Sequence, residues 1–154
     1  MTNTEITIHT DGCCLGNPGK GGFAAVVRRY ENGVEIKKRV VSDSSSDTTN
    51  NRMELTAAIN GLRQIKRDEP AKITVYSDSQ YVILGMNERL TNWRVKGWRT
   101  ASGQPVKNLE LWKGLLAAAD GLNVQWEWVR GHNGDPRNEE ADHVANQAAS
   151  KQAQ

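Results

Sequence analysis

The sequence predicts a mixed α/β fold of one domain, residues 1–154. Three observations predict it. Segments of strand character recur along the chain, the first three joined by short turns. Later ones are separated by segments whose apolar residues fall at helical spacing. And 154 residues, 37% hydrophobic and 25% charged, suffice for one real core but not comfortably for two.

The elements follow in order. Ile6 to Thr10 alternates apolar and polar, a strand pattern. Gly16-Asn-Pro-Gly-Lys-Gly-Gly is a turn cluster, and Phe23 to Arg28 an apolar run that makes a second strand. Glu31-Asn-Gly signals a hairpin into a third strand, Val34 to Val41. The polar Ser42 to Thr49 stretch reads as a loop. Leu55, Ala58, Ile59, Leu62 and Ile65 then mark a helix over Asn51 to Arg67, with Asn50 or Asn51 as its N-cap. Ile73 to Ser77 is a strand and Ser79 to Arg89 a helix. Thr91 to Arg99 is a short helix broken at Gly97. Leu109 to Asp120 is amphipathic, Val124 to Val129 is the last strand, and Arg137 to Ser150 the last helix, with Ala141, Val144, Ala145 and Ala148 inward. Short turns make the first three strands an antiparallel meander. The β-α-β runs after it imply parallel neighbours, giving a mixed sheet with helices packed on its faces.

Composition narrows the function classes. No apolar run approaches the ~20 residues of a membrane span. The first residues lack a basic stretch followed by an apolar core, so the expected address is the cytoplasm. Cys13 and Cys14 are adjacent and read as free thiols, with no second pair to build a zinc site. A net charge of +2 decides no partner, but its distribution is uneven. Arg89, Arg94, Lys96 and Arg99 lie with two tryptophans in a stretch without an acid. No exposed apolar stripe or heptad suggests an oligomer, so the expectation is a monomer.

Four acids stand at predicted element ends. Asp11 and Asp78 each follow a strand, Glu54 lies in the first turn of a helix, and Asp142 in the second turn of the last one. If the first and fourth strands are parallel neighbours, both aspartates reach the carboxyl edge of the sheet, where open α/β sheets place ligands. Any one of these acids alone would be an ordinary cap or surface residue. Together they would repel: two carboxylates ~4 Å apart cost about 4 kcal/mol at an effective dielectric of ~20. They would either protonate or need cations, and oxygen-only ligands suit Mg²⁺ or Mn²⁺ over zinc. Two such ions clamp the oxygens of an in-line displacement at phosphorus. His132, in a glycine-flanked loop beside Asp142, is a candidate for proton transfer.

The motifs around these residues are specific. Thr10-Asp-Gly-Cys-Cys-Leu-Gly-Asn-Pro-Gly, Thr48-Thr-Asn-Asn-Arg-Met-Glu-Leu, Tyr76-Ser-Asp-Ser-Gln-Tyr-Val and Trp128-Val-Arg-Gly-His-Asn-Gly closely resemble bacterial ribonuclease H of type 1. The resemblance runs from about Ile6 to Ala149. It implies a ribonuclease H-like fold, a five-stranded mixed sheet with its first three strands antiparallel and helices on both faces. It implies endonucleolytic hydrolysis of the RNA strand of an RNA–DNA hybrid, leaving 3′-hydroxyl and 5′-phosphate ends. Asp11, Glu54, Asp78 and Asp142 are then metal ligands and catalytic residues. Mg²⁺ is the implied cofactor, Mn²⁺ its substitute, with two ions when substrate is bound. His132 falls on the loop histidine that helps proton handling or product release.

The resemblance also assigns substrate contacts. Cys14, Asn17, Asn50, Asn51 and Gln80 match the positions that read 2′-hydroxyls across the minor groove. Thr49 and Asn50 fit a phosphate pocket for the DNA strand. Asn92-Trp-Arg-Val-Lys-Gly-Trp-Arg resembles the basic protrusion, about residues 89–101, with Trp93, Arg94, Lys96, Trp98 and Arg99 as contacts, and Trp93 or Trp98 expected also to anchor its short helix to the body. Four departures bear on binding strength: Cys13 replaces the usual serine, Lys20 a common proline, Arg89 a frequent aromatic residue, and Val95 interrupts the basic run.

Overall fold

The computed structural model describes residues 3–131 and 134–153. Three long antiparallel strands, β1 (Thr4–Leu15), β2 (Gly19–Glu31) and β3 (Val34–Thr48), form the meander. β4 (Lys72–Ser77) and β5 (Asn123–Trp128) run parallel to β1. The five-stranded order is β3-β2-β1-β4-β5, so β1 and β4 are neighbours, as the placement of Asp11 and Asp78 requires. The β2–β3 hairpin turns through Asn32 and Gly33, both at positive φ, the conformation an Asn-Gly pair supplies.

Helix α1 (Asn50–Leu62) packs one face of the sheet. Its buried Leu55, Ala58, Ile59 and Leu62 join Ile8, Ala25, Ile73 and Val75 in the main core. α2 (Gln80–Leu84) continues through a π-helical turn, Gly85–Arg89, into α3 (Leu90–Val95). The π turn passes close over Trp112: a Cβ on Gly85 would stand 2.1 Å from its ring. Trp112 belongs to α4 (Leu109–Ala119) and is fully buried with Leu115. Its indole and Asn108 both donate to the Tyr81 hydroxyl, tying α4 to α2.

Helix α5 (Pro136–Ala153) covers the other face. Its contact stripe is small: Ala141, Ala145, Ala148 and Ala149 are buried, Val144 only half so. That stripe lets the helix backbone lie directly on Gly22 of β2. Arg28, almost wholly buried, pairs with Glu35 at 3.1 Å and with Glu140 of α5, and Lys38 reaches the same Glu140 at 2.6 Å. No helix among the described residues is long and apolar enough to cross a membrane.

Several boundaries differ from the sequence reading. β1 does not end at Thr10. It runs on through Asp11 to Leu15, because Gly12 to Leu15 pair with Lys20 to Phe23 of β2. For the same reason only Gly16 to Pro18 turn, and β2 begins at Gly19 rather than Phe23. The stretch expected as a loop, Ser42 to Thr48, is the second half of β3, held by pairing to Gly19–Ala24. α1 starts one residue early and stops five residues before Arg67. Its cap is Thr49, whose hydroxyl accepts from Arg52 N at 3.3 Å, rather than Asn50 or Asn51.

Candidate active site

At the carboxyl edge of β1 and β4 the acids converge. Asp11, Glu54 and Asp78 each bring one carboxylate oxygen within 4.8 Å of the others. Asp11 therefore lies inside a strand, not at its end. It shares the parity of His9, which sits beside Arg28, Asp135 and Glu140 under α5, so its carboxylate is directed towards the same helix. Glu54 arrives from the first turns of α1 and is buried. Gly12 makes that approach possible: a Cβ there would stand 2.5 Å from the Glu54 nitrogen. The Gly12 N–H donates to Glu54 Oε1 at 3.1 Å, leaving the buried Oε2 without a partner.

Asp78 follows Ser77, the last residue of β4. Two later residues hold it. Trp128 Nε1 donates to the Asp78 carbonyl at 3.2 Å, and Gly131 lies so close that a Cβ would meet Asp78 Oδ2 at 2.8 Å. Asp142 stands outside the tight trio. It lines the same cleft, near enough to the Asp11 carboxyl to raise its pKa. Its own Oδ1 accepts from Asn146 at 3.2 Å.

The electrostatics agree with the geometry. Burial, then the neighbouring Glu54, then hydrogen bonds to Asp142 and Glu54 push the Asp11 carboxyl far above the usual carboxylate range. Burial also raises Glu54; its hydrogen bond with Asp11 offsets part of this, and Asp78 adds to it. Without a cation the site holds protons it would otherwise shed. An all-oxygen donor set, mutual repulsion and the orphaned Glu54 Oε2 together fit a hard divalent cation.

The cleft has a volume of about 420 Å³ and is lined further by Cys14, Asn50, Asn51 and Gln80. Asn17 does not line it. Its Oδ1 accepts from Asn50 N at 3.1 Å, fixing the β1–β2 turn against the start of α1. Thr49 is engaged as the cap. Cys13 also lines the cleft, and its thiol donates to the Ala145 carbonyl of α5 at 3.4 Å. In the protrusion Arg94, Lys96 and Arg99 are exposed, and Arg99 also donates to the Gly103 carbonyl at 2.9 Å. The tryptophans face inward: Trp93 meets Trp112 edge-on at 5.1 Å, and Lys113 lies 5.6 Å over the Trp98 ring. His132 lies outside the described residues. His9, given no role, is buried and stacks on Tyr76 at 4.6 Å.

The model of the family described as RNase H matches residues 3–150. The chain belongs to the RNase H family. A ribonuclease H of Paracidovorax citrulli is 50% identical over 149 residues, covering 96% of this chain and 95% of that protein. One from Pseudomonas aeruginosa is 48% identical, covering 98% of each. The crystal structure of LC9-RNase H1, a type 1 RNase H with the type 2 active-site motif, superposes with a TM-score of 0.83 at 35% identity, covering 96% of this chain and 72% of that one. This RNase H is thus of the bacterial type 1 kind, a hydrolase of the endoribonuclease class. Residues not singled out from the sequence as parts of the site include Gly12, Ser79, Tyr81, Trp128 and Gly131. Their signal was present only as membership of the motifs, since the role of each depends on contacts distant in the chain.

Proposed function

We propose that this RNase H hydrolyses the RNA strand of RNA–DNA hybrids in a divalent-metal-dependent reaction that leaves 3′-hydroxyl and 5′-phosphate ends. The convergence of Asp11, Glu54 and Asp78 around the unpartnered Glu54 Oε2 carries the reading. Those three residues hold Mg²⁺, or Mn²⁺ in its place, with Asp142 completing the set for two ions when substrate is bound. Bound there, the ions would polarise the scissile phosphate and lower the pKa of the attacking water. The chain's own part is placement. The Gly12 N–H fixes Glu54, and Trp128 and Gly131 fix Asp78, so each carboxylate is preorganised before substrate arrives. His132 moves the proton at the leaving oxygen or helps release product.

Cys14, Asn50, Asn51 and Gln80 line the cleft beside the acids, where short polar groups can meet 2′-hydroxyls. Asn17 supports them through Asn50, and Thr49 with Asn50 receives a phosphate of the DNA strand. Arg94, Lys96 and Arg99 grip that strand further along. Trp93 and Trp98, packed against the core, stiffen the protrusion and offer only their exposed edges to substrate. The protein works as a single domain and a monomer in the cytoplasm.

The test is a substrate panel. Labelled RNA–DNA hybrid, double-stranded DNA, double-stranded RNA and single-stranded RNA are each incubated with Mg²⁺ or with EDTA. Cleavage of the hybrid RNA alone, and only with metal, is expected. Efficient cutting of DNA, or turnover in EDTA, would refute the proposal. A second expectation concerns the protrusion. Lys96→Ala should weaken hybrid binding whatever the sequence and reduce the log–log salt slope by about 0.9, one phosphate contact's worth. An unchanged slope would place Lys96 off the DNA path.

A further inference from the structure

Helix α5 lies on the sheet through a contact that is close but smooth. Among the described residues its wholly buried positions, apart from Asn138, are alanines: Ala141, Ala145, Ala148 and Ala149. Apolar attraction has no direction. A row of methyl groups therefore holds a helix near a strand while leaving its rotation and sliding weakly determined.

Charge supplies the missing direction. Arg28 of β2 is 6% exposed, and its guanidinium meets Glu35 of β3 at 3.1 Å and Glu140 Oε1 of α5. Lys38 of β3 reaches the other oxygen, Glu140 Oε2, at 2.6 Å. One carboxylate of the helix is thus held at both oxygens by cations from two different strands. As a source of stability the cluster counts for little. Replacing a buried ion pair by apolar groups is often neutral or stabilising, and the best-attested use of such pairs is to select one register. Arg28 even keeps a buried Nη1 without a hydrogen-bond partner among the described residues, a cost that an apolar side chain would not carry.

Register matters because of what α5 carries. Glu140 and Asp142 stand on either side of Ala141, and they leave the helix about 200° apart. Glu140 reaches β2 and β3 on one flank, while Asp142 lines the metal cleft on the other. A rotation of ~20° about the helix axis would displace the Asp142 carboxylate by roughly 2 Å. Mg²⁺ takes its oxygens at about 2.0–2.1 Å in a near-ideal octahedron and tolerates no such error.

We propose that Arg28 is a positioning residue for metal: acting through Glu140, with Lys38 as a second anchor, it sets the rotation of α5 and so the place of Asp142 at the second ion. The inference rests on the metal-dependent reading of the cleft.

The test separates register from stability. Arg28→Met combined with Glu140→Leu replaces the pair by apolar side chains. Glu35 and Lys38, left behind, are exposed enough for water to solvate them. In EDTA this double variant should melt close to the parent. The side-chain amide of Asn146 donates to Asp142 Oδ1 at 3.2 Å and reports on Asp142 without metal or substrate. Its NMR signal should shift in the double variant, while the backbone signal of Gly12, which donates to Glu54, stays in place. The Mg²⁺ concentration for half-maximal hybrid cleavage should rise at least about tenfold, with KM for the hybrid at saturating Mg²⁺ unchanged. Arg28→Lys keeps the charge and should recover much of the metal response. A double variant that melts well below the parent, an unmoved Asn146 signal, or an unchanged Mg²⁺ requirement would each overturn the proposal. A parent enzyme that cuts hybrid without Mg²⁺ would overturn it together with the metal reading on which it rests.

Discussion

Asp11→Asn is expected to abolish hybrid cleavage while making the metal-free protein more stable. The loss should reach at least about a thousandfold in turnover, or ~4 kcal/mol of transition-state stabilisation. Asp11 sits among Glu54, Asp78 and Asp142, and its carboxylate has no counter-charge among the described residues. The gain in stability follows from linkage. Asp11 has a folded-state pKa well above the unfolded value near 4, so between the two the folded protein keeps a proton that the unfolded chain has lost. Stability therefore falls as pH rises through that window. The amide variant escapes the penalty, a gain on the order of 2 kcal/mol at neutral pH. Below about pH 4 both states of the parent are protonated and the advantage disappears. Calorimetry in EDTA at neutral and acid pH would show it. Added Mg²⁺ should stabilise the parent and leave the variant nearly unmoved. A variant that is less stable than the parent in EDTA at neutral pH would mean that the acids do not repel one another there.

Gly22→Ala should produce a large structural effect for a single methyl group. A Cβ at this position would stand 2.4 Å from the Ala149 nitrogen and 2.5 Å from the Ala145 oxygen. Both are helix backbone, which cannot rotate away as a side chain does. α5 must lift from the sheet, at a cost of about 3 kcal/mol or more. Activity should fall with stability, because α5 also carries Asp142 into the cleft. Gly114→Ala is the control. Its nearest neighbour is the end of the flexible Ile59 side chain at 3.4 Å, and a helical Gly→Ala change is worth up to ~1 kcal/mol in the stabilising direction. Urea denaturation of both variants decides the matter. Equal midpoints would show that α5 accommodates the extra carbon.

Element types and order were legible in the sequence because burial is one-sided. The alternation of β1 and the helical stripe of Leu55, Ala58, Ile59 and Leu62 both report a face turned to the core. Extent was less legible wherever pairing, not burial, keeps a segment extended. Ser42 to Asp47 shows no apolar face, since β3 is a largely exposed edge strand, and only its partners in β2 make it a strand. Gly12 to Leu15 was hidden in the same way. The N-cap was misplaced by one or two positions because Thr49, Asn50 and Asn51 are all good capping residues and the choice rests on backbone angles. Of the candidate site, the three tightly grouped acids were readable from their motifs. That Asp142 stands a step outside them, and that Trp128, Gly131 and Gly12 hold the others in place, depends on distances that a linear string does not contain. The tryptophans of the protrusion carried the opposite difficulty. Beside so many cations they read as stacking surfaces with one of them an anchor, and the structure packs both against the body of the domain.

The docking of α5 has a consequence for the order in which the protein comes into being. The sheet, α1 and three of the four cleft acids are all encoded before residue 136, and the last helix brings the fourth. That helix also supplies Glu140, the anion for which Arg28 and Lys38 are both waiting. On the ribosome, then, the cleft stays incomplete until α5 has been made. A product cut short before α5 leaves the underside of β1 and β2 uncovered, with Arg28 lacking one of its two anions and Lys38 lacking its one. Synthesis itself delays assembly of the nuclease until its fifth helix has been made.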